Sequence, residues 1–97
     1  MLFTINKSPL AFGNLQSALR IAPTGEPVLL YEDGVYAAAA GAASEDLVVQ
    51  ALADHPVYAL QEDLKARGVK SLIEGIQVID YDSFVELIEQ HHVVPWL

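Results

Sequence analysis

The stretch that decides the fold comprises residues 28–36, VLLYEDGVY. Its apolar beginning, residues 28–30, follows Pro27 and predicts a buried strand, which residues 32–34 (EDG) end. The alanines at 37–40 then predict a helix, and a strand that leads directly into a helix begins a βαβ unit. Ligands usually bind beyond the carboxyl ends of the strands in an open α/β sheet. Because two carboxylates lie there and would repel phosphate, this turn argues against a nucleotide site.

Strand and helix patterns alternate along the rest of the chain. Strands are predicted at residues 2–6, 28–31, 57–60 and 76–79, with a fifth in the apolar tail 93–97. Helices are predicted at residues 15–22, 37–40, 45–52, 62–67 and 81–92. The connections are long enough for crossovers, which indicates a mostly parallel sheet with helices on both faces. We therefore expect a three-layer α/β/α fold with a sheet of four to five strands, in one domain of residues 1–97.

Polar side chains precede several of these helices, and such residues are expected to cap them. The expected caps are Asn14, Asp33, Ser44, and Asp80 or Asp82. The last helix has the clearest periodicity, with apolar residues at i, i+3, i+4 and i+7, which predicts one buried face. That face consists of Tyr81, Phe84, Val85 and Ile88.

The chain is acidic and strongly apolar. It carries a net charge of −8 with only five Lys and Arg, whereas nucleic-acid binding rests on cations that neutralise phosphates. We therefore expect no direct binding of nucleic acid. Hydrophobic residues make up 53% of the sequence, which is high for an isolated soluble monomer. Either another subunit covers part of the apolar surface, or the sheet is buried on both faces.

The sequence contains no cysteine, which excludes disulfides, thiol nucleophiles and Cys-based metal sites. Residues 1–5, MLFTI, lack the basic and apolar segments of a signal peptide, and no apolar stretch reaches the length of a membrane span. These features predict a cytoplasmic protein that has no membrane partner and needs no cofactor.

Two pairs of neighbouring residues invite a catalytic or metal-binding interpretation. His91 and His92 are adjacent on a predicted helix and point about 100° apart, so they do not converge on a metal ion. His55, in a loop, has no local partner. Glu32 and Asp33 form a candidate acid–base pair, but catalysis also needs a nucleophile, a metal or a substrate clamp. Since neither a cysteine nor a GxSxG turn is present, we assign no catalytic, cofactor-binding or metal-binding residue and favour capping or partner contact.

A strand-end or interface site is the remaining candidate. Lys7 follows the first strand, so it lies at the same edge of the sheet as Glu32 and Asp33 and can pair with one of them. Tyr36 and Trp96 are candidate interface aromatics, because aromatic residues are enriched at protein interfaces. Ordinary core packing is the alternative for both aromatic side chains.

Five segments together resemble the DsrH/TusB family, in the right order and over essentially the whole chain. They are residues 6–9 (NKSP), 30–38 (LYEDGVYAA), 63–68 (DLKARG), 80–85 (DYDSFV) and 96–97 (WL). The resemblance implies a DsrE-like α/β fold. It also implies the small subunit of a three-protein sulfur-relay complex, a heterohexamer with two copies of each subunit.

The resemblance further implies a division of labour within that complex. In the TusBCD version, persulfide sulfur passes toward 2-thiolation of the wobble uridine of certain tRNAs. In the DsrEFH version, sulfur serves oxidative metabolism and is handed to a DsrC/TusE-like carrier. The main persulfide cysteine belongs to the DsrE/TusD-like subunit. Some DsrH members have a cysteine in the first helix, where this chain has Ala18.

We therefore expect a non-catalytic subunit that binds DsrE/TusD-like and DsrF/TusC-like chains and forms a homodimer when isolated. The apolar tail 93–97 is the expected partner surface, with docking on its own sheet as the alternative. A second function class is a standalone, homo-oligomeric small-ligand-binding protein with a pocket at Lys7, Glu32 and Tyr36. A hydrolase that uses Glu32 or Asp33 is a third.

Overall fold

The core of the structure is a five-stranded sheet in which all neighbouring strands are parallel. The computed structural model describes residues 1–9 and 13–96. The strands are β1 (Leu2–Ile5), β2 (Val28–Leu30), β3 (Val57–Leu60), β4 (Gln77–Ile79) and β5 (Val93–Trp96), in the order β4-β3-β2-β1-β5. The expected α/β class with a parallel sheet is confirmed. The tail supplies the fifth strand, although its last residue, Leu97, lies outside the described residues.

Helices connect the strands and form the two outer layers. They are α1 (Asn14–Ile21), a 3₁₀ helix (Glu32–Ala38), α2 (Glu45–Asp54), α3 (Gln61–Ala66) and α4 (Tyr81–Gln90). From β1 to β4 each crossover moves one strand in the same direction, whereas the crossover from β4 to β5 returns over the whole sheet. Because such crossovers are right-handed, α1 to α3 lie on one face of the sheet and α4 lies on the other. The expected three layers are therefore confirmed.

The main hydrophobic core lies between the sheet and the layer of α1 to α3. Alternate strand residues point into it, because successive side chains of a strand point to opposite faces. From the strands come Phe3, Ile5, Val28, Leu30, Val57 and Ala59, and from the helices Leu15, Ala18, Val48, Ala51 and Leu64. Leu15 and Ala18 thus form the buried face of α1, and Val48 and Ala51 form that of α2.

The opposite face of the sheet is covered by α4 alone. Leu2 and Leu29, which lie at its centre, are fully buried, and the ring of Phe84 packs on Tyr31 with 6.2 Å between ring centroids. None of the ten residues of α4, however, is fully buried. Tyr81 is 58% exposed and Ile88 is 37% exposed, so the buried face predicted for this helix is buried only in part.

The segment after β2 differs from the predicted helix at residues 37–40. The helix begins at once at Glu32, is of the 3₁₀ type and ends at Ala38. Ala39 instead forms an antiparallel bridge with Leu72, and the N–H of Ala40 donates to the carbonyl oxygen of Ser71 at 2.8 Å. Pairing with residues 71–72 therefore overrides the helix propensity of the alanine run.

Of the four expected helix caps, only that of α4 is present, whereas Asn14, Ser44 and Asp33 do not cap the helices that follow them. Asn14 is the first residue of α1 rather than its cap, and its Nδ2 donates to the carbonyl oxygen of Trp96 at 3.2 Å. Ser44 precedes α2, but its side chain makes no capping bond. Asp80 caps α4, since its Oδ1 accepts from the N–H of Ser83 at 2.9 Å, and this bond lowers the pKa of the Asp80 carboxyl.

Gly34 allows the 3₁₀ helix to start against the end of β1. A Cβ atom at Gly34 would overlap the backbone carbonyl of Ile5, and backbone atoms cannot move aside as the end of a flexible side chain would. We predict that Gly34→Ala lowers the free energy of unfolding by about 1–3 kcal/mol or more, the usual cost of overpacking. Urea denaturation followed by circular dichroism measures this change.

The matched control is Gly13→Ala. Gly13 is exposed and its φ is −87°, which any residue adopts, so the free energy of unfolding should change by less than about 1 kcal/mol. Equal unfolding midpoints for the two variants would contradict the close approach of Gly34 to β1.

Candidate functional site

A cluster of charged groups lies beyond the carboxyl ends of β2 and β3. Glu32 and Asp33 come from the first turn of the 3₁₀ helix, and Asp63 and Arg67 come from α3 and the residue that follows it. Arg67 Nε donates to Asp33 Oδ1 at 2.8 Å, and its Nη1 donates to Asp63 Oδ1 at 3.4 Å. Asp63 Oδ2 accepts from the backbone N–H of Glu32 at 2.6 Å. We call these four residues the strand-end cluster.

The backbone of the cluster is held in an uncommon conformation at Glu32. Its φ is +48°, in the left-handed region that residues other than glycine rarely occupy. Such a residue persists only where its surroundings hold it in place. Here the Asp63 carboxylate binds the Glu32 N–H, and Gly34 N–H donates to the Tyr31 carbonyl at 2.9 Å. Asp63 thus caps the start of the 3₁₀ helix, which is the role expected of Asp33.

Asp33 is therefore not a helix cap, which corrects the sequence-based expectation. The position before the 3₁₀ helix is occupied by Tyr31, and no side chain of its own segment caps that helix. The Asp33 carboxylate instead accepts a hydrogen bond from Arg67, 34 residues further along the chain. A contact of this range depends on α3 packing beside the 3₁₀ helix, which local sequence does not specify.

The pKa values of Arg67 and Tyr31 are both raised, so Arg67 stays charged and Tyr31 stays neutral at neutral pH. The hydrogen bond from Arg67 to Asp33, together with the charges of Asp33 and Asp63, raises the pKa of the guanidinium. Burial raises the pKa of the Tyr31 phenol, and the neighbouring Glu32 carboxylate raises it further. The cluster thus holds one permanent cation among three carboxylates, and none of its four residues carries a thiol or a hydroxyl group.

The structure brings together some of the predicted site residues and separates others. Tyr36 lies on the 3₁₀ helix and interacts electrostatically with Arg67, so it belongs beside the cluster. Lys7 follows β1, and its pairing with Glu32 or Asp33 stays a prediction. Trp96 ends β5, which β1 separates from β2, so it lies roughly 10 Å from the nearest cluster strand.

Sequence reasoning missed Asp63 and Arg67. A signal was available, since the two residues are four apart on a helix, where opposite charges stabilise one another. They also follow β3, and the carboxyl ends of parallel strands meet at one edge of the sheet. What was lacking was the strand order, which places β3 next to β2.

The apolar tail packs on its own sheet. β5 pairs in parallel with β1, and the N–H of Leu2 donates to the carbonyl oxygen of His92 at 2.8 Å. The Trp96 ring lies against Phe3 with 6.2 Å between centroids, and Trp96 is partly buried. The tail therefore docks on its own sheet, which was the alternative left open by the sequence, and Val94 and Trp96 extend the main core. Its role as a partner surface stays a prediction.

Two cavities lie away from the strand-end cluster. One of about 160 Å³ lies between α1 and α2, lined by Leu19, Leu47 and His55 among others, and one of about 400 Å³ lies between α2 and residues 72–74. Neither includes the pocket expected at Lys7, Glu32 and Tyr36. His55 has a hydrogen-bond partner, since its Nδ1 lies 2.9 Å from the carbonyl oxygen of Glu26.

Within residues 1–9 and 13–96, no group of three His, Asp or Glu side chains is arranged to hold a metal ion. Over the same ranges, none of the helices is long and apolar enough to cross a membrane.

Comparison with known proteins identifies the family. A family model described as DsrH like protein matches residues 7–94. The chain belongs to the DsrH family. It is 42% identical over 92 residues to Protein TusB of Serratia proteamaculans, covering 94% of each chain. Protein TusB of Escherichia coli K12 is 39% identical over 94 residues, again covering 94% of each.

Solved structures share the fold of this DsrH-family chain. Protein MTH1491 of Methanobacterium thermoautotrophicum, described as of unknown function, aligns with a TM-score of 0.72 and 18% identity, covering 97% of this chain and 96% of that one. Protein Tm0979 of Thermotoga maritima aligns with a TM-score of 0.62 and 21% identity, covering 94% of both chains. At these identities the likeness concerns the fold alone.

The two aspartates of the cluster should differ in their effect on stability. Asp63 holds the backbone N–H of a strained residue, so we predict that Asp63→Ala lowers the free energy of unfolding by about 1.5–3 kcal/mol, the range for hydrogen bonds to charged groups. Asp33 is 59% exposed, and Asp33→Ala removes an exposed ion pair worth about 0.2–1 kcal/mol. Urea denaturation at neutral pH compares the two variants, and a larger loss for Asp33→Ala would refute this ranking.

Proposed function

We propose that this DsrH-family chain is a non-catalytic subunit of a sulfur-relay complex, bound to DsrE/TusD-like and DsrF/TusC-like chains. One observation carries the proposal, namely the family match over residues 7–94. The relatives named TusB, at up to 42% identity across 94% of their length, support the TusBCD version. In that version the complex passes sulfur toward 2-thiolation of tRNA wobble uridines.

The absence of cysteine decides the role within the complex. A persulfide needs a thiol that can become a thiolate nucleophile, and none of the 97 residues is a cysteine. The sulfur atom is therefore held by the DsrE/TusD-like chain. This chain contributes surface and position, and we propose no catalytic role for Glu32 or Asp33.

The acidic charge fits the same division of labour. With a net charge of −8, this chain repels the phosphates of a tRNA, so it does not supply the surface that receives the RNA. Under this proposal, sulfur leaves the complex on a DsrC/TusE-like carrier, as the family resemblance implies, and does not pass through this chain. The chain acts entirely through protein contacts.

Sulfur loading of the reconstituted complex tests the proposal. We predict that the chain co-purifies with the DsrE-like and DsrF-like chains of the same genome. After incubation with a cysteine desulfurase and labelled cysteine, intact mass spectrometry should find one added sulfur on the DsrE-like chain and none on this chain. The control replaces the persulfide cysteine of the DsrE-like chain by serine. A sulfur adduct on this chain, or failure to co-purify, would refute the proposal.

A gene deletion separates the tRNA role from sulfur oxidation. We predict that a strain without this chain loses 2-thiouridine from its wobble-modified tRNAs, because the complex cannot assemble without one of its subunits. Mass spectrometry of digested tRNA measures the loss, and a plasmid copy of the gene should restore the nucleoside. Unchanged 2-thiouridine would contradict the TusBCD version.

A further inference from the structure

One face of the sheet is covered incompletely. An α-helix with its side chains is about 10–12 Å wide, whereas strands lie about 4.8 Å apart, so one helix covers roughly two strands. The opposite side of the sheet is covered by α1, α2 and α3, but this side has α4 alone for five strands. Part of the α4 side is therefore open.

Burial along the sheet shows where that opening lies. Leu29, Tyr58 and Gln77 are paired across β2, β3 and β4 and point to the same side. Leu29 is fully buried, Tyr58 is half-buried and Gln77 is exposed. The cover thus decreases from the centre of the sheet toward the β4 edge.

Two apolar side chains of α4, the helix on this side of the sheet, are exposed. Tyr81 and Ile88 lie seven residues apart, hence on one side of the helix, and they are 58% and 37% exposed. We call Tyr58, Gln77, Ile79, Tyr81 and Ile88 the α4 surface. Exposed Ile21 and Val49 lie instead on separate helices of the other layer, and single exposed apolar residues of that kind are ordinary.

The charged residues in and next to α4 all have one sign. Asp80, Asp82, Glu86 and Glu89 lie on or directly before α4 and are exposed. Residues 71–97 contain five carboxylates and no Lys or Arg. An apolar surface with an acidic rim selects a partner whose own apolar surface has a basic rim.

A second copy of the chain does not meet this requirement. In a two-fold dimer the same surface lies on both subunits, so the carboxylates of α4 would face those of the other copy. Like charges placed opposite one another at an interface oppose binding. The acidic rim likewise repels nucleic acids and anionic membranes.

We propose that the α4 surface binds a different protein chain through an apolar patch bordered by Lys and Arg. The inference rests on the proposed function, under which the DsrE-like and DsrF-like subunits are the partners, and one of them carries this patch. The bound face of this chain and the chemistry that the partner must present go beyond that function. The tail, which the sequence indicated, pairs with β1 along one edge of β5.

Removing apolar area from the α4 surface tests the proposal. The double variant Tyr81→Ser, Ile88→Ser should bind the co-purified DsrE-like and DsrF-like pair at least about tenfold more weakly, as expected when buried interface residues are truncated. The matched control is Ile21→Ser, Val49→Ser, which removes exposed apolar side chains elsewhere and should change Kd by less than about twofold. Calorimetry measures Kd, and circular dichroism checks that each variant is folded.

Reversing the charge of the rim is an independent test that does not alter the apolar residues. Glu86→Lys, Glu89→Lys should slow association and reduce its dependence on salt, whereas Asp46→Lys on α2 should leave both unchanged. Rates measured between about 50 and 500 mM NaCl make this comparison, because added salt screens exposed charges.

The outcomes separate this proposal from the proposed function. If the wild-type chain binds the pair and both α4 variants bind equally well, the surface is wrong and the sulfur-relay role stands. If the wild-type chain does not bind the pair, both proposals fail. If light scattering finds a dimer of the isolated chain that Tyr81→Ser, Ile88→Ser dissociates, the occupant is a second copy and our choice of partner is overturned.

Discussion

The structure depends on the close approach of two backbone segments at the carboxyl ends of the central strands. The carbonyl oxygen of Ile5 accepts from the N–H of Tyr31 at 3.1 Å, which extends the pairing of β1 and β2 by one bond. Gly34 then lies directly over that carbonyl. Because Gly34 has no side chain to place between the two backbones, the chain can leave β2, turn and form the 3₁₀ helix within a few residues.

This turn places the charged residues of the strand-end cluster. Glu32 occupies a left-handed conformation with φ of +48°, and its N–H is directed toward the carboxylate of Asp63. Arg67 then reaches back from the end of α3 to Asp33. The cluster therefore connects two successive βα units through hydrogen bonds between charged groups.

The many apolar residues of this chain lie in two kinds of position in the fold. The central strands are buried on both faces, as Leu2, Phe3 and Ile5 show with exposures of 2% or less. The remainder is distributed unequally, because three helices cover one side of the sheet and one covers the other. The side covered by α4 alone therefore presents exposed apolar side chains together with carboxylates.

Local sequence determined the elements of this protein, and only the tertiary structure decided how they meet. The run VYAL became β3 at the predicted residues, and Asp80 caps α4, because burial pattern and capping act over a few neighbouring residues. The bond from Asn14 to Trp96 and the ion pair of Asp33 with Arg67 join residues 82 and 34 positions apart, and the strand order likewise depends on contacts between distant parts of the sequence. Such contacts depend on which strands become neighbours, and the exposure of α4 depends on how many helices each face receives. Neither the neighbours of a strand nor the number of helices on each face is encoded in the periodicity of any single segment.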